Sequence, residues 1–167
     1  MRRIAIVLAT FAAVIAIAAE SRLTGQTSTA SLTVTASVSK NCTISTTPVN
    51  FGAYDPVAAN ATTPLDGVGT IVVSCTKGAP AKLGLSVGSN AQGTTRRMAT
   101  GPAYLNYELY KDTSRATVWG DTIDAALDIP AAPNRNPRSF TIYGRVPTGQ
   151  DAQVGTYTDT VMATVNF

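Results

Sequence analysis

The chain has 167 residues, of which 44% are hydrophobic and 14% are charged, a composition and length that suit one domain with one hydrophobic core. The formal net charge of +3 falls to +1 when Arg2 and Arg3, which belong to a predicted leader, are left out, and this excludes an electrostatic nucleic-acid-binding surface. Because the chain has no histidine, it cannot form a Ser-His-Asp or Cys-His catalytic system, and we expect no enzyme activity, cofactor or metal site.

The first eighteen residues are typical of a secretory signal peptide. Arg2 and Arg3 precede the uncharged residues 4–19, and Ala16-Ile17-Ala18 fits the small-x-small rule, so we predict cleavage after Ala18. A membrane anchor is the alternative, but this apolar run is shorter than the ~20 residues that a spanning helix requires. The mature chain is therefore expected to be exported and to contain no membrane span.

Residues 30–38 alternate strictly between apolar and hydroxyl side chains. Ala30, Leu32, Val34, Ala36 and Val38 are separated by Ser or Thr at every intervening position. Period-two alternation predicts a β-strand with one apolar face. The pattern leaves two alternatives open, because this strand could pair within its own chain or complete the sheet of another chain.

The chain contains only two cysteines, Cys42 and Cys75. Because an exported protein folds in an oxidising compartment, we predict that they form a disulfide. The alternative is a pair of buried free thiols.

From Cys42 onward, short alternating runs are separated by turn residues. The runs predict strands at residues 71–75, 83–87, 104–110, 127–129, 140–146 and 157–167, with loops at 58–67, 88–101 and 130–137. Val72 makes the first of these strands apolar on both faces, which indicates a central strand. The last strand places Tyr157, Val161, Ala163, Val165 and Phe167 on one face. Strands at this spacing indicate an antiparallel sandwich or barrel.

Several short motifs resemble those of the spore coat protein U family, which includes the pilins of archaic chaperone–usher fimbriae. They occur in the family's order over nearly all of the mature chain. The residues are Cys42-Thr-Ile44, Phe51-Gly-Ala-Tyr-Asp55, residues 69–78, Arg97-Met98, residues 105–110, Trp119-Gly-Asp121, residues 143–147, Gly149-Gln150 and residues 155–161. The match is specific as a set, whereas no single motif would suffice.

The resemblance implies an all-β, immunoglobulin-like antiparallel sandwich that lacks its final strand. In such pilins a periplasmic chaperone lends the missing strand, and at the outer-membrane usher the N-terminal extension of the next subunit replaces it. The implied organisation is a signal peptide (1–18), an N-terminal extension with the donor strand (19–41) and a pilin domain (42–167). Leu32, Val34, Ala36 and Val38 would be the donor side chains, and the strand at residues 157–167 would dock the chaperone.

The implied function is that of a fimbrial subunit whose partners are copies of itself or related pilins, and which supports adhesion or biofilm formation at the cell surface. A spore or cell coat protein is an alternative. A secreted carbohydrate-binding module, with Tyr104, Tyr107, Tyr110 and Trp119 as a sugar platform, is another. A hydrolase with paired carboxylates has no supporting motif, and Asp121, Asp124 and Asp128 lack the spacing of a calcium loop.

Overall fold

The computed structural model describes residues 25–167, so the predicted signal peptide and its cleavage site lie outside the described residues. The described part contains eight strands and one short helix. In chain order they are β1 (Cys42–Asn50), α1 (Ala59–Thr62), β2 (Leu65–Cys75), β3 (Ala81–Leu85), β4 (Arg96–Thr100), β5 (Ala103–Tyr110), β6 (Leu127–Ile129), β7 (Arg138–Val146) and β8 (Ala163–Asn166).

The strands form two antiparallel sheets. One sheet has five strands in the order β1-β2-β7-β5-β4, and the other has three in the order β6-β3-β8. The predicted all-β, immunoglobulin-like class is confirmed. Strand β2 lies between β1 and β7, as the apolar side chains on both of its faces predicted.

The core lies between the two sheets. Leu105, Tyr107 and Leu109 of β5 are buried, as their alternation predicted, and they pack with Ile71 and Val73 of β2. The three-stranded sheet contributes its own inward-facing residues, which are Ala81, Leu83, Leu85 and Ile129. Alternate residues of a strand point to the same face, so the sequence pattern identified these core positions correctly.

Two sequence predictions need correction, and one strand was not predicted. The expected loop at residues 58–67 instead contains the one-turn helix α1 and the start of β2, where Asp66 pairs with Arg145 of β7. The expected loop at 88–101 contains strand β4. Strand β1 begins at Cys42, although residues 43–48 show no strong alternation of apolar side chains.

Arg96 explains why the sequence pattern did not predict strand β4. Its side chain is only 2% exposed, and it forms a salt bridge with Glu108. The guanidinium also donates hydrogen bonds to the carbonyl oxygens of Leu85, Ser86 and Trp119, at 2.7–3.0 Å. A charged residue at a core position breaks the apolar pattern, yet its hydrogen bonds make the burial tolerable.

Cys42 and Cys75 form the predicted disulfide. They are directly opposite each other on β1 and β2, with 4.1 Å between their Cα atoms. The bridge therefore attaches the start of an edge strand to the end of a more central one.

Replacing both cysteines by serine is expected to lower the free energy of unfolding by roughly 3–4 kcal/mol, because the closed loop restricts the unfolded chain. Urea unfolding of the double variant and of the wild type measures the difference. A loss below about 1 kcal/mol would contradict this account.

A charged cluster on the outer face of the five-stranded sheet joins two strands and a loop. Arg145 donates two hydrogen bonds to Asp66, at 2.7 and 2.9 Å, and Arg115 lies 3.2 Å from the same carboxylate. The hydrogen bonds from Arg145 lower the pKa of Asp66 below its ordinary value of 3.8. Partial burial opposes this effect, and the positive charges of Arg115 and Arg145 add to the lowering.

The stabilising effect of Asp66 is expected to be lost at low pH. Because its pKa is lower in the folded state, the contribution is fully present above pH 3.8 and disappears as the pH falls through the folded value. Asp66→Asn should therefore lower unfolding free energy at pH 7 by up to about 1 kcal/mol, since the pair is partly exposed, and by less at about pH 3. Urea unfolding at both pH values tests this, and an equal loss at both would contradict it.

Candidate functional site: an open groove between two sheet edges

The sandwich is open on one side, between β1 and β8. Each of these strands is the last in its sheet. Ile44 of β1 lies opposite Val73 of β2 and so shares its inward face, yet Ile44 is 36% exposed whereas Val73 is fully buried. The inward face of β1 is therefore partly exposed to solvent.

The C-terminal segment (residues 157–167) forms the other wall. The predicted long strand is shorter than expected, since β8 covers Ala163–Asn166 and Thr158 makes a single bridge to Ala99. Its alternation is as predicted: Tyr157, Val161, Ala163 and Val165 are half-buried, whereas the even-numbered neighbours are exposed. Phe167 lies beyond β8 and is 50% exposed.

The backbone of this segment has one bonded edge and one open edge. The carbonyl oxygens of Thr158, Thr160 and Met162 accept hydrogen bonds from the amides of Ala99, Ser89 and Ser86, at 2.8–3.0 Å. Because successive backbone groups of a strand point to opposite edges, those of the odd-numbered residues point the other way. Among the described strands, none pairs with β8 on that edge.

Two adjoining cavities make up the space between these walls, which we call the open groove. The first has a volume of about 460 Å³ and is lined by residues that include Leu85, Leu109, Ile142, Val161 and Ala163. The second, of about 650 Å³, is lined by residues that include Leu65, Leu105, Val146 and Ala152. Five residues line both cavities, namely Pro48, Val49, Phe51, Met98 and Tyr157. The groove is thus elongated, mostly apolar and bounded by unpaired strand edges.

Three glycines shape the floor of the open groove where the two cavities meet. Gly67 of β2 and Gly144 of β7 are directly opposite each other, and Gly69 is the next inward position on β2. A Cβ atom on Gly144 would lie 2.7 Å from Cζ of Phe51, and one on Gly69 would lie 2.7 Å from Cγ2 of Val49. Phe51 and Val49 therefore lie directly on the backbone of the sheet, which only glycine permits. Sequence analysis missed this, although glycines at alternate positions of a strand were the available signal.

Asp159 is the one carboxylate in the lining of the first cavity. It accepts hydrogen bonds from the Tyr107 hydroxyl at 2.6 Å and from the backbone and side-chain amides of Asn90, at 3.1 Å each. Burial, and next the hydrogen bond to Asp159, raise the pKa of Tyr107, so the phenol stays protonated and donates. The carboxylate thus connects the C-terminal segment to the opposite sheet.

Residues 30–38 are exposed and are not assigned to any strand. Leu32, Val34 and Val38 are 84–88% exposed. The predicted strand is therefore not formed in the isolated chain, and its pairing within the chain is not observed. A strand requires backbone hydrogen bonds to a partner, so an alternating pattern alone does not produce one.

The aromatic residues considered as a sugar platform do not share a surface. Trp119 is fully buried, with Nε1 donating to the Leu83 carbonyl at 2.7 Å, and Tyr107 is 6% exposed. Tyr104 is exposed but lies under the guanidinium of Arg97, whose Cζ is 4.0 Å from the ring centroid. Trp119 and Tyr107 are core residues, which contradicts the proposed platform.

The profile of the Spore Coat Protein U domain family matches residues 28–164. The chain belongs to this family. The family resemblance inferred from the motifs is confirmed. The matched range includes residues 30–38 and ends within β8, so it spans both the N-terminal segment and the open groove.

One relative and one solved structure illustrate the match. Protein U of Myxococcus xanthus is 38% identical over 155 residues, which cover 84% of this chain and 86% of that protein. Among solved structures, the chain resembles one from the CsuC–CsuE chaperone–tip adhesion subunit pre-assembly complex of the archaic chaperone–usher Csu pili of Acinetobacter baumannii. That likeness has a TM-score of 0.56 and 23% identity over 78% of this chain, and it shows a shared fold. The chain spans 40% of the length of the chain that it matches.

Residues 25–167 lack two further features. In that range no helix is both long enough and apolar enough to cross a membrane. In the same range, His, Cys, Asp and Glu side chains form no group of three that could hold a metal ion.

Proposed function

We propose that the chain is a structural subunit of a surface fimbria that polymerises by donor-strand exchange. The family match and the fold support a fimbrial subunit rather than an enzyme. In this proposal residues 30–38 of one copy enter the open groove of the next. Two features of the same chain support this proposal together. One is the open groove between unpaired strand edges, and the other is the exposed segment of alternating apolar residues.

The chemistry of the segment and of the groove is complementary. Leu32, Val34 and Val38 would each contribute roughly 1.5–3 kcal/mol if fully buried. The open backbone edge of the C-terminal segment would gain a hydrogen-bonded partner, and the inserted side chains would reach the cavities at alternate positions. Donor and groove are different surfaces of the same molecule, so the contact is heterologous and repeats without closing, which produces a filament.

The open groove also supports two proposed partners. An exposed apolar groove with unpaired strand edges is an aggregation hazard during export. A periplasmic chaperone would cover it first, along the wall formed by Tyr157, Val161, Ala163, Val165 and Phe167, and an outer-membrane usher would catalyse the exchange for the next subunit. This route places the chain in the periplasm in transit and then in a cell-surface fimbria, where it would support adhesion or biofilm formation.

A coat protein is the second candidate. The family description names a spore coat, which favours a polymer deposited as a layer. The same donor-strand contact would build either product. Immunogold labelling of intact cells separates them, since thin fibres support a fimbria and a continuous envelope supports a coat.

The test is to purify the exported protein and compare samples with and without boiling in detergent. The wild type should form a ladder of oligomers that boiling collapses to a monomer, and deletion of residues 30–38 should abolish the ladder. A wild-type chain that stays a soluble monomer without a chaperone would overturn the proposal.

A further inference from the structure

Phe51 lies across the floor of the open groove. It lines both cavities, and its ring lies on the paired glycines Gly67 and Gly144 and edge-on to Tyr107, with 6.0 Å between ring centroids. A Cβ atom at Gly67 would be 2.9 Å from Cδ1 of the ring, so the ring cannot sink further into the sheet. The ring therefore stands above the backbone of the sheet, in the part of the floor that both cavities share.

The donor segment has a matching sequence of side-chain sizes. Its inward positions read Ala30, Leu32, Val34, Ala36 and Val38, so one small residue has a larger one on both sides. Alternate side chains on a strand are about 6.7 Å apart, which is the spacing at which neighbouring cavities can be filled. Ala30 is followed by Leu32 but is not preceded by a large inward side chain. Only Ala36 has a larger side chain on both sides, so only Ala36 fits over the ring where the two cavities meet.

We propose that Ala36 of the donor segment crosses Phe51 of the receiving copy and thereby sets the register of insertion. This inference rests on the proposed function. Val34 and Val38 then enter the cavities on either side of the ring. A shift of the segment by two residues in either direction would place a valine on the ring and the small Ala36 in a cavity. Packing penalises both errors, because an overfilled site and a void each cost free energy.

Single substitutions of equal size in the full-length chain test the register. Ala36→Leu should lower the temperature at which the oligomers dissociate in detergent and speed their dissociation by about 10-fold or more, because the added carbons overlap the Phe51 ring. Ala30→Leu makes the same change at the end of the segment and should leave both quantities near the wild-type values. The double variant with Phe51→Leu should restore part of the stability lost in Ala36→Leu, since a smaller side chain leaves room.

The outcomes separate the two proposals. Absence of a wild-type ladder would overturn donor-strand exchange itself. If the wild type forms the ladder and Ala30→Leu and Ala36→Leu behave alike, the proposed register is wrong. If Ala36→Leu is weakened but neither Phe51→Leu nor Phe51→Ala restores it, contact with Phe51 is excluded. Selective weakening together with rescue supports the register.

Discussion

A chain carrying Val34→Asp is expected to be exported as a folded subunit and to form no detergent-resistant oligomers. In the proposed contact Val34 enters an apolar cavity, where an unpaired carboxylate would lose its hydration without gaining a partner. The lining offers little compensation, because the donors around Asp159 already bond that carboxylate. A penalty of several kcal/mol on each subunit contact should prevent assembly.

The neighbouring position supplies the control. Thr35→Asp introduces the same charge one residue away, on the opposite face of the inserted strand, where it remains in water. It should leave the ladder on a boiling-sensitive gel intact. If both variants assemble equally well, or if both fail, insertion of an alternating strand does not explain assembly.

Arg96→Leu is expected to produce the largest loss of stability among the single substitutions considered, roughly 3–5 kcal/mol. The change leaves Glu108 without its ion-pair partner and removes hydrogen bonds from the carbonyl oxygens of Leu85, Ser86 and Trp119. These groups connect β4 to β5, to the end of β3 and to the buried Trp119. Urea unfolding of the exported chain measures the loss.

Arg97→Leu is the matched control for Arg96. The Arg97 side chain is partly exposed, stacks on Tyr104 and bonds Gln92 and the Asn90 carbonyl, so its loss should cost about 1 kcal/mol or less. The double replacement of Arg96 and Glu108 by leucine should be less damaging than Arg96→Leu alone, because no unpaired charge remains. Equal losses for Arg96→Leu and Arg97→Leu would contradict a special role for the buried guanidinium.

Sequence analysis succeeded where burial on one face imposed a pattern. Leu105, Tyr107 and Leu109 alternate because they face the core, and the C-terminal segment alternates because it forms a groove wall. The two cysteines were matched correctly because only one pairing exists.

The failures have a different origin. Residues 58–67 were predicted to form a loop, but Asp66 binds Arg145 on the outer face and Gly67 is required by the Phe51 ring on the inner face. Residues 43–48 lack an apolar pattern because the inward face of β1 is open in the single chain. These features depend on tertiary contacts, which local sequence does not contain.

The disulfide acquires a mechanical meaning in a filament built as proposed. Tension on an inserted segment would reach the domain through residues 39–41, which are held to Thr76 by hydrogen bonds from 2.8 to 3.3 Å, and then through Cys42. Edge strands resist peeling poorly because their ladder bonds break one after another. The covalent link to Cys75 transfers the load directly to β2, which has hydrogen-bonded strands on both sides. A pulling force on the filament would thus act on β2 inside the sheet. The hydrogen bonds between β1 and β2 would not have to resist it one at a time.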